Sequence, residues 1–467
     1  MGSDHDHEDH DPAGEEFPRL EVTKLVGQEE SDGPSAFWPT ILITAGLGAL
    51  ALGLPTERVL DDLMYVDRPS GFPVLQGLTA RLASAVELGP ERAGYLLAAL
   101  FWALSLPVLV GLLRTIGFRT RIALPAALIV VLAPAAWIGA TLPSTFSAQL
   151  FGSALLAWTL FSPQTGRLIY VLRSFAVFAL ALCLHPATLI LLPAVIWAGL
   201  TQRPVPWTNP WRDGWTTGLA LLGVAGLTYL VWPIAPRELL WPSDMGGAGT
   251  PLLMGLLWAP LAIGTALIGV LGLFFAERAP EESPPPRWLA VWCFMFVVSL
   301  FLFPAYPLWS AALLPAAAIG MADWTARESR EDLAGPRVAV LLGLQVVLTL
   351  SAALYLTATD DYAEWRAVAR EQLEPTDFVL TFDGQREYFL QQRFGLDSRD
   401  ISEVRALSGR ESWEWWADLE EELRTAQESG RRVVIDDFPL PMGAPEFPPE
   451  LWRIERDFEA WHLIAGR

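Results

Sequence analysis

FWPTILITAGLGALALGLPTERVLDDLMYVDRPSGFP, residues Phe37–Pro73, joins two unlike kinds of chain. Phe37–Leu54 carries no charge and has about the length a membrane-spanning helix needs. Glu57–Pro73 gathers Asp61, Asp62 and Asp67 with Arg58, Tyr65 and Arg68, then turns through Pro69-Ser70-Gly71-Phe72-Pro73. A polar loop that follows a span lies at a membrane surface. No later apolar segment holds so dense a polar cluster, so this loop is the first candidate for chemistry. The plainer alternative is a solvated loop that caps a helix.

Outward from that stretch, the whole chain supports a membrane reading. It has 467 residues, 52% hydrophobic, with 21 Trp and only 18% charged residues. Long apolar runs divided by short polar ones indicate a mainly α, polytopic membrane protein. The net charge of −20 argues against nucleic-acid binding, which needs a basic face. Cys183 and Cys293 both lie inside apolar segments, so no structural disulfide is expected. Lys24 is the only lysine; the other cationic side chains, histidines aside, are arginines.

Residues 1–36 are acidic, with Pro and Gly and little apolar periodicity, and read as a disordered cytoplasmic tail. His5, His7 and His10 stand among acids there; such tracts bind metals weakly, and a solvated tail accounts for them as well. The tail lacks the basic start and early apolar core of a signal peptide. After the first loop (55–92), Phe72–Leu88 places Phe72, Leu75, Leu78, Leu82 and Val86 at helical spacing. It is short and carries Arg81 and Glu87, so it reads as an amphipathic helix in the interface.

Further spans are expected at Ala93–Leu113, Ile122–Thr141, Ser144–Phe161, Phe175–Leu184, Ala187–Leu200, Thr217–Pro233, Leu252–Ala276, Leu289–Phe303, Leu308–Ala322 and Val338–Thr357, about eleven crossings in all. The two arms around His185-Pro186 are each short for a span, and a proline breaks a helix. A helical hairpin is expected there, its tip facing a cavity, since broken backbone at membrane depth is tolerated only against protein or water. The arginines fall mainly in one alternate set of loops, which makes that set cytoplasmic. The N-terminus is then inside. The Asp61–Arg68 loop, His185, the Arg237–Gly249 loop and the C-terminus are outside.

Residues 37–357 thus form the membrane domain, and residues 358–467 a small extracytoplasmic α/β domain. In the latter, Asp377–Phe382, Arg432–Ile435 and Trp461–Ile464 read as strands, and Gln385–Phe394 and Trp413–Glu428 as helices. It has no glycine-rich phosphate loop. Asp436-Asp437 at a strand end suits either a cation or an ordinary polar exit from the strand.

A glycosyl transfer at the outer face needs a carboxylate to orient or deprotonate the acceptor and cationic or hydrogen-bonding groups for the departing phosphate. The Asp61–Arg68 loop offers both. Asp61 and Asp62 are neighbours, so on a helix they point about 100° apart and only one faces a given cavity. His185, between apolar arms, is a site residue by the rule for ionisable groups in membranes, or a neutral ring satisfying the Pro186 break. Arg237 and Glu238, with Ser243-Asp244 before a glycine pair, form a second outer polar loop; Tyr306 follows Pro304 at an outer span end.

The acidic pair after the first span, the Pro-Ser-Gly-Phe-Pro turn, the amphipathic helix, Leu132–Trp137 (LAPAAW) and Leu182–Pro193 (LCLHPATLILLP) together resemble the GT-C superfamily of membrane glycosyltransferases. The likeness is to the bacterial relatives of protein O-mannosyltransferases and lipid A aminoarabinose transferases. It is fullest over residues 37–200. The resemblance implies a polyprenyl-phosphate sugar donor and a lipid, glycan or protein acceptor, handled in the inner membrane. It implies a catalytic acid in the first outer loop, matched by Asp62 or Asp61. Where that family often shows His-Pro-Pro, this chain has Asp67-Arg68-Pro69. Arg58, Arg68 and Arg237 replace the phosphate-binding lysines of some relatives, and arginine suits that role. Tyr65, Asp67, His185 and Tyr306 complete the expected substrate contacts. No protein-bound metal is expected, and a divalent cation requirement stays open. Two rivals stand beside this reading: a non-catalytic envelope scaffold, and a transporter or flippase with an outward cavity.

Overall fold

The structure, a computed structural model, describes residues 37–53, 73–86, 90–141, 146–162, 167–201, 260–275, 286–302, 311–328, 334–358, 362–382, 384–401, 404, 409–436 and 449–463. The membrane part begins with α1 (Phe37–Gly53), α2 (Pro73–Val86), α3 (Pro90–Ile116), α4 (Thr120–Val131), α5 (Pro134–Thr141), α6 (Phe146–Phe161) and α7 (Arg167–Leu184). A 3₁₀ segment, Pro186–Leu191, leads into α8 (Leu192–Thr201). Then come α9 (Leu267–Phe275), preceded by the 3₁₀ turn Gly264–Ala266, α10 (Arg287–Leu302), α11 (Leu314–Glu328) and α12 (Ala334–Ala358).

Among the described residues, Arg92–Ile116 and Gly335–Leu354 are long and apolar enough to cross a membrane. The α4–α5 pair makes a third if taken as one bent span, and five further apolar helices are shorter. The segment expected at 217–233 lies outside the described residues.

α3 is the centre of the bundle. Trp102, Leu106, Leu109 and Leu113 are buried along it. Helices surrounded by apolar chains associate by close van der Waals packing, so small residues mark their crossings. A Cβ on Gly111 would lie 3.0 Å from the Trp158 ring of α6, and that Trp donates its Nε1–H to Thr115 Oγ1 at 2.8 Å. Where α9 crosses α11, a Cβ on Gly320 would strike the Gly269 backbone. On the outside, Trp38, Leu42, Val340, Val347 and Leu354 stay exposed on α1 and α12. An apolar exterior of this kind suits lipid rather than water.

Three interruptions give the bundle its particular form. The segment expected as one span at 122–141 is two helices meeting at 65°. Pro134 cannot donate a hydrogen bond and disfavours helix at Ala133. The carbonyls left at the bend are met by protein: Trp102 Nε1 donates to Val131 O at 2.8 Å, and Thr349 Oγ1 of α12 to Leu132 O at 2.6 Å. The second break is at Gly264, whose φ of +61° suits glycine. There Gln345 of α12 accepts from Thr265 N at 2.6 Å and Thr265 Oγ1 at 2.7 Å, and donates to Ile263 O at 3.2 Å. A Cβ on Gly264 would sit 2.5 Å from Gln345 Oε1, so glycine is needed for the approach as well as the dihedral. The third break, at His185, belongs to the candidate site.

The C-terminal unit comprises α13 (Ala363–Gln372), β1 (Phe378–Thr381), α14 (Gly384–Phe389) with a π turn at Leu390–Phe394, β2 (Asp397–Asp400), α15 (Arg410–Glu428), β3 (Val433–Ile435), α16 (Pro449–Asp457) and β4 (Trp461–His462). Its four strands are all parallel in the order β2-β1-β3-β4. Phe378 and Leu380 of β1, with Val433 and Ile435 of β3, face the α15 and α16 side, packing with Leu419, Leu423 and Ile454. Val379 and Val434 face the opposite side with Trp365, Ala369, Phe389 and Leu390. This alternation is the two-residue period of a sheet covered on both faces. β2 and the helices α13 and α16 go beyond the expected elements.

Candidate functional site

Of the sequence-derived site residues, only His185 lies among the described ones. Asp61, Asp62, Arg58, Tyr65, Asp67 and Arg68, together with Arg237 and Tyr306, lie outside them.

The helix is interrupted at His185 as expected, but the first arm is longer than the sequence suggested. It begins at Arg167, not Phe175, and Arg173 lies inside it rather than in a loop, donating to Thr159 O at 3.1 Å. Tyr170 likewise donates to Leu160 O at 3.1 Å. The two side chains meet carbonyls at the C-terminal end of α6, which is why a basic residue is tolerated in this apolar helix.

α7 ends at Leu184 and the chain re-forms as a 3₁₀ segment from Pro186. His185 N–H donates to Ala181 O at 2.9 Å, and Thr188 Oγ1 donates to the same carbonyl at 3.1 Å. Thr188 N–H closes the turn onto His185 O at 3.0 Å. The imidazole is 1% exposed, with its ring centroid 6.1 Å from that of Phe146 at the start of α6. It therefore points into protein, not lipid.

Two neighbouring elements meet there. α2, the helix after the acidic loop, seats Leu75 in a cluster with Leu97, Ala148 and Leu184, the residue preceding His185. The inward face of α2 is Leu75, Thr79 and Leu82, while Leu78 and Val86 of the expected stripe are exposed. α5 approaches from the other side: a Cβ on Gly139 would lie 3.0 Å from Phe146 Cβ.

One residue near this break has no counterpart among the sequence-derived site residues. Gln149, on α6, is 1% exposed, and its Oε1 has no hydrogen-bond partner. The signal was present: it is the sole side-chain amide in the apolar run Phe146–Phe161.

In the C-terminal unit, Asp436 does not offer an exposed carboxylate for a cation. It is fully buried and bound to Arg386 at 2.9 Å, and it accepts from Trp365 Nε1 at 3.1 Å and Thr381 Oγ1 at 3.3 Å. Arg386 in turn lies over the Trp365 and Tyr362 rings, 5.4 and 5.7 Å from their centroids. Asp437 lies outside the described residues. Among the described residues, no group of three or more His, Cys, Asp or Glu is placed to hold a metal ion.

No family model matches the sequence, and no curated protein matches it. Solved structures do match in fold. The crystal structure of ArnT from Cupriavidus metallidurans bound to undecaprenyl phosphate superposes with a TM-score of 0.55, covering 79% of this chain and 86% of that one, at 14% identity. The same protein in the apo state gives 0.52, with 77% and 84% covered, again at 14% identity. The fold of this chain is similar to that of ArnT.

Proposed function

We propose that the chain is a membrane glycosyltransferase that moves a sugar from a polyprenyl-phosphate donor to a lipid, glycan or protein acceptor at the outer face of the inner membrane. The carrying observation is the fold match to ArnT over most of both chains, one of those structures holding undecaprenyl phosphate. The buried His185 break, next to the helix that follows the acidic loop, supports the placing of the site. In this reading the N-terminus is cytoplasmic and residues 358–467 are extracytoplasmic.

Asp62 orients or deprotonates the acceptor, with Asp61 the alternative. Arg58, Arg68 and Arg237 bind the donor phosphate, while Tyr65, Asp67, His185 and Tyr306 complete the substrate contacts. The direct test incubates purified protein with a panel of polyprenyl-phosphate sugars and acceptor extracts, with and without a chelator to resolve any cation requirement. Asn at the essential aspartate keeps shape and removes charge; transfer then falls by roughly 10²–10⁴. The fold should be preserved, since a surface substitution usually stays within about 0.5 kcal/mol. Full transfer by Asp61→Asn, Asp62→Asn and the double variant removes this loop from the mechanism. A wild-type protein inert across the panel favours the scaffold reading.

A further inference from the structure

Gln149 presents a problem of chemistry. A side-chain amide in an apolar helix is retained where it bonds another helix or serves a site. Gln345 shows the first use, with both ends of its amide engaged. Gln149 does not: its Oε1 is buried and has no hydrogen-bond partner. Leaving such an acceptor unmet is costly, because the hydrogen bonds it gave up to water are not replaced.

Its position says what it faces. Gln149 lies three residues after Phe146, so the two share a face of α6. Side chains on a helix lean toward its N-terminus, which brings the amide toward the level of Phe146. The Phe146 ring lies against His185. One turn further along, Gly152 abuts Ala181 and Leu184 of α7, so α6 and α7 are in backbone-close contact beside the amide. The unmet acceptor therefore lies on the face of α6 that carries Phe146, whose ring contacts His185.

A carbonyl oxygen needs a donor. A polyprenyl-phosphate sugar is a phosphodiester, and its phosphate carries no proton at neutral pH. Its sugar ring carries hydroxyls. We propose that Gln149 is a sugar-binding residue that accepts a hydrogen bond from a hydroxyl of the donor's sugar, on the face of α6 that meets the His185 break through Phe146. This rests on the glycosyltransferase reading and adds which part of the donor lies at this break.

The test measures affinity of the full-length purified protein for undecaprenyl phosphate and for undecaprenyl-phosphate-linked glucose, mannose and arabinose. Wild type is compared with Gln149→Leu and Gln149→Met. Wild type should bind at least one glycosylated carrier more tightly than the bare carrier. Both variants should bind that glycosylated carrier roughly 2- to 10-fold more weakly, the worth of one net hydrogen bond, and the bare carrier unchanged. Without ligand, both variants should melt at or above the wild-type temperature, because an unmet acceptor has been removed. Variants that melt lower would show the amide to be structural and overturn the assignment. So would variants that keep the full preference for the glycosylated carrier, or a wild type that prefers no glycosylated carrier. A wild type that binds neither kind of carrier refutes the glycosyltransferase reading itself.

Discussion

Gln345→Met is the sharpest test of how the bundle tolerates its broken helices. Methionine keeps nearly the volume of glutamine, so packing changes little. The two bonds Gln345 accepts from Thr265 N and Thr265 Oγ1 and the one it donates to Ile263 O are lost together. Side-chain bonds between membrane helices average about 0.6 kcal/mol and reach about 1.7, so the direct loss is near 2 kcal/mol. The Thr265 N–H and Ile263 carbonyl are then left in an apolar interior, and an unmet buried group costs about 1–3 kcal/mol. Adding one such cost to the direct loss gives an expected destabilisation of about 3–5 kcal/mol, read by reversible unfolding in mixed micelles. A double-mutant cycle with Thr265→Val isolates the pair, which should couple by about 0.5–3 kcal/mol. If Gln345→Met unfolds within about 0.5 kcal/mol of wild type, the break at Gly264 is held by something other than α12.

Thr349→Val removes the bond to Leu132 O at the α4–α5 bend and should cost about 0.6–1.7 kcal/mol in the same titration. Gly320→Ala drives a methyl group into the Gly269 backbone at the α9–α11 crossing, so it should destabilise by about 1–3 kcal/mol, seen as a lower melting temperature in detergent. Asp436→Ala strands Arg386 in the core of the C-terminal unit and should cost about 3–5 kcal/mol, with residues 362–463 becoming protease-sensitive in the full chain. The paired change Arg386→Met/Asp436→Leu should recover most of that loss, because the charge and its partner leave together.

Much of the membrane part is legible because uncharged length is itself the signal. Phe37–Leu54, Ser144–Phe161 and Val338–Thr357 lie within a few residues of α1, α6 and α12. The bend at Leu132-Ala133 was harder to see. Apolar chain runs straight through it, and the partners that make it tolerable, Trp102 and Thr349, are remote in sequence. The edge strand β2 reads Asp-Ser-Arg-Asp, and edge strands carry charge without losing their pairing, so hydrophobic patterning misses it. The helix break at His185 is legible because Pro186 beside an ionisable ring breaks a local rule. Gln149 is not legible in the sequence because one uncharged amide does not interrupt an apolar run, and only its unmet oxygen marks it.

The same interruptions explain why α5 sits where the two halves of the molecule meet. Its start is held at the bend, where Thr349 of α12 meets Leu132 O. Its Ile138 packs against the core of the C-terminal unit, in the cluster that contains Trp365, Phe389 and Tyr362. The next residue, Gly139, lies close against Phe146 and Ser147, and Phe146 carries the contact to His185. A straight helix from Thr120 to Thr141 would follow a single axis, whereas the 65° bend lets the second half take its own direction. α12 leads toward α13 of the C-terminal unit and also supplies the threonine that holds the bend. Packing in the C-terminal unit is thus connected to the Phe146–His185 contact through eight residues of helix, and Gly139 is the position where added bulk would press directly on Phe146.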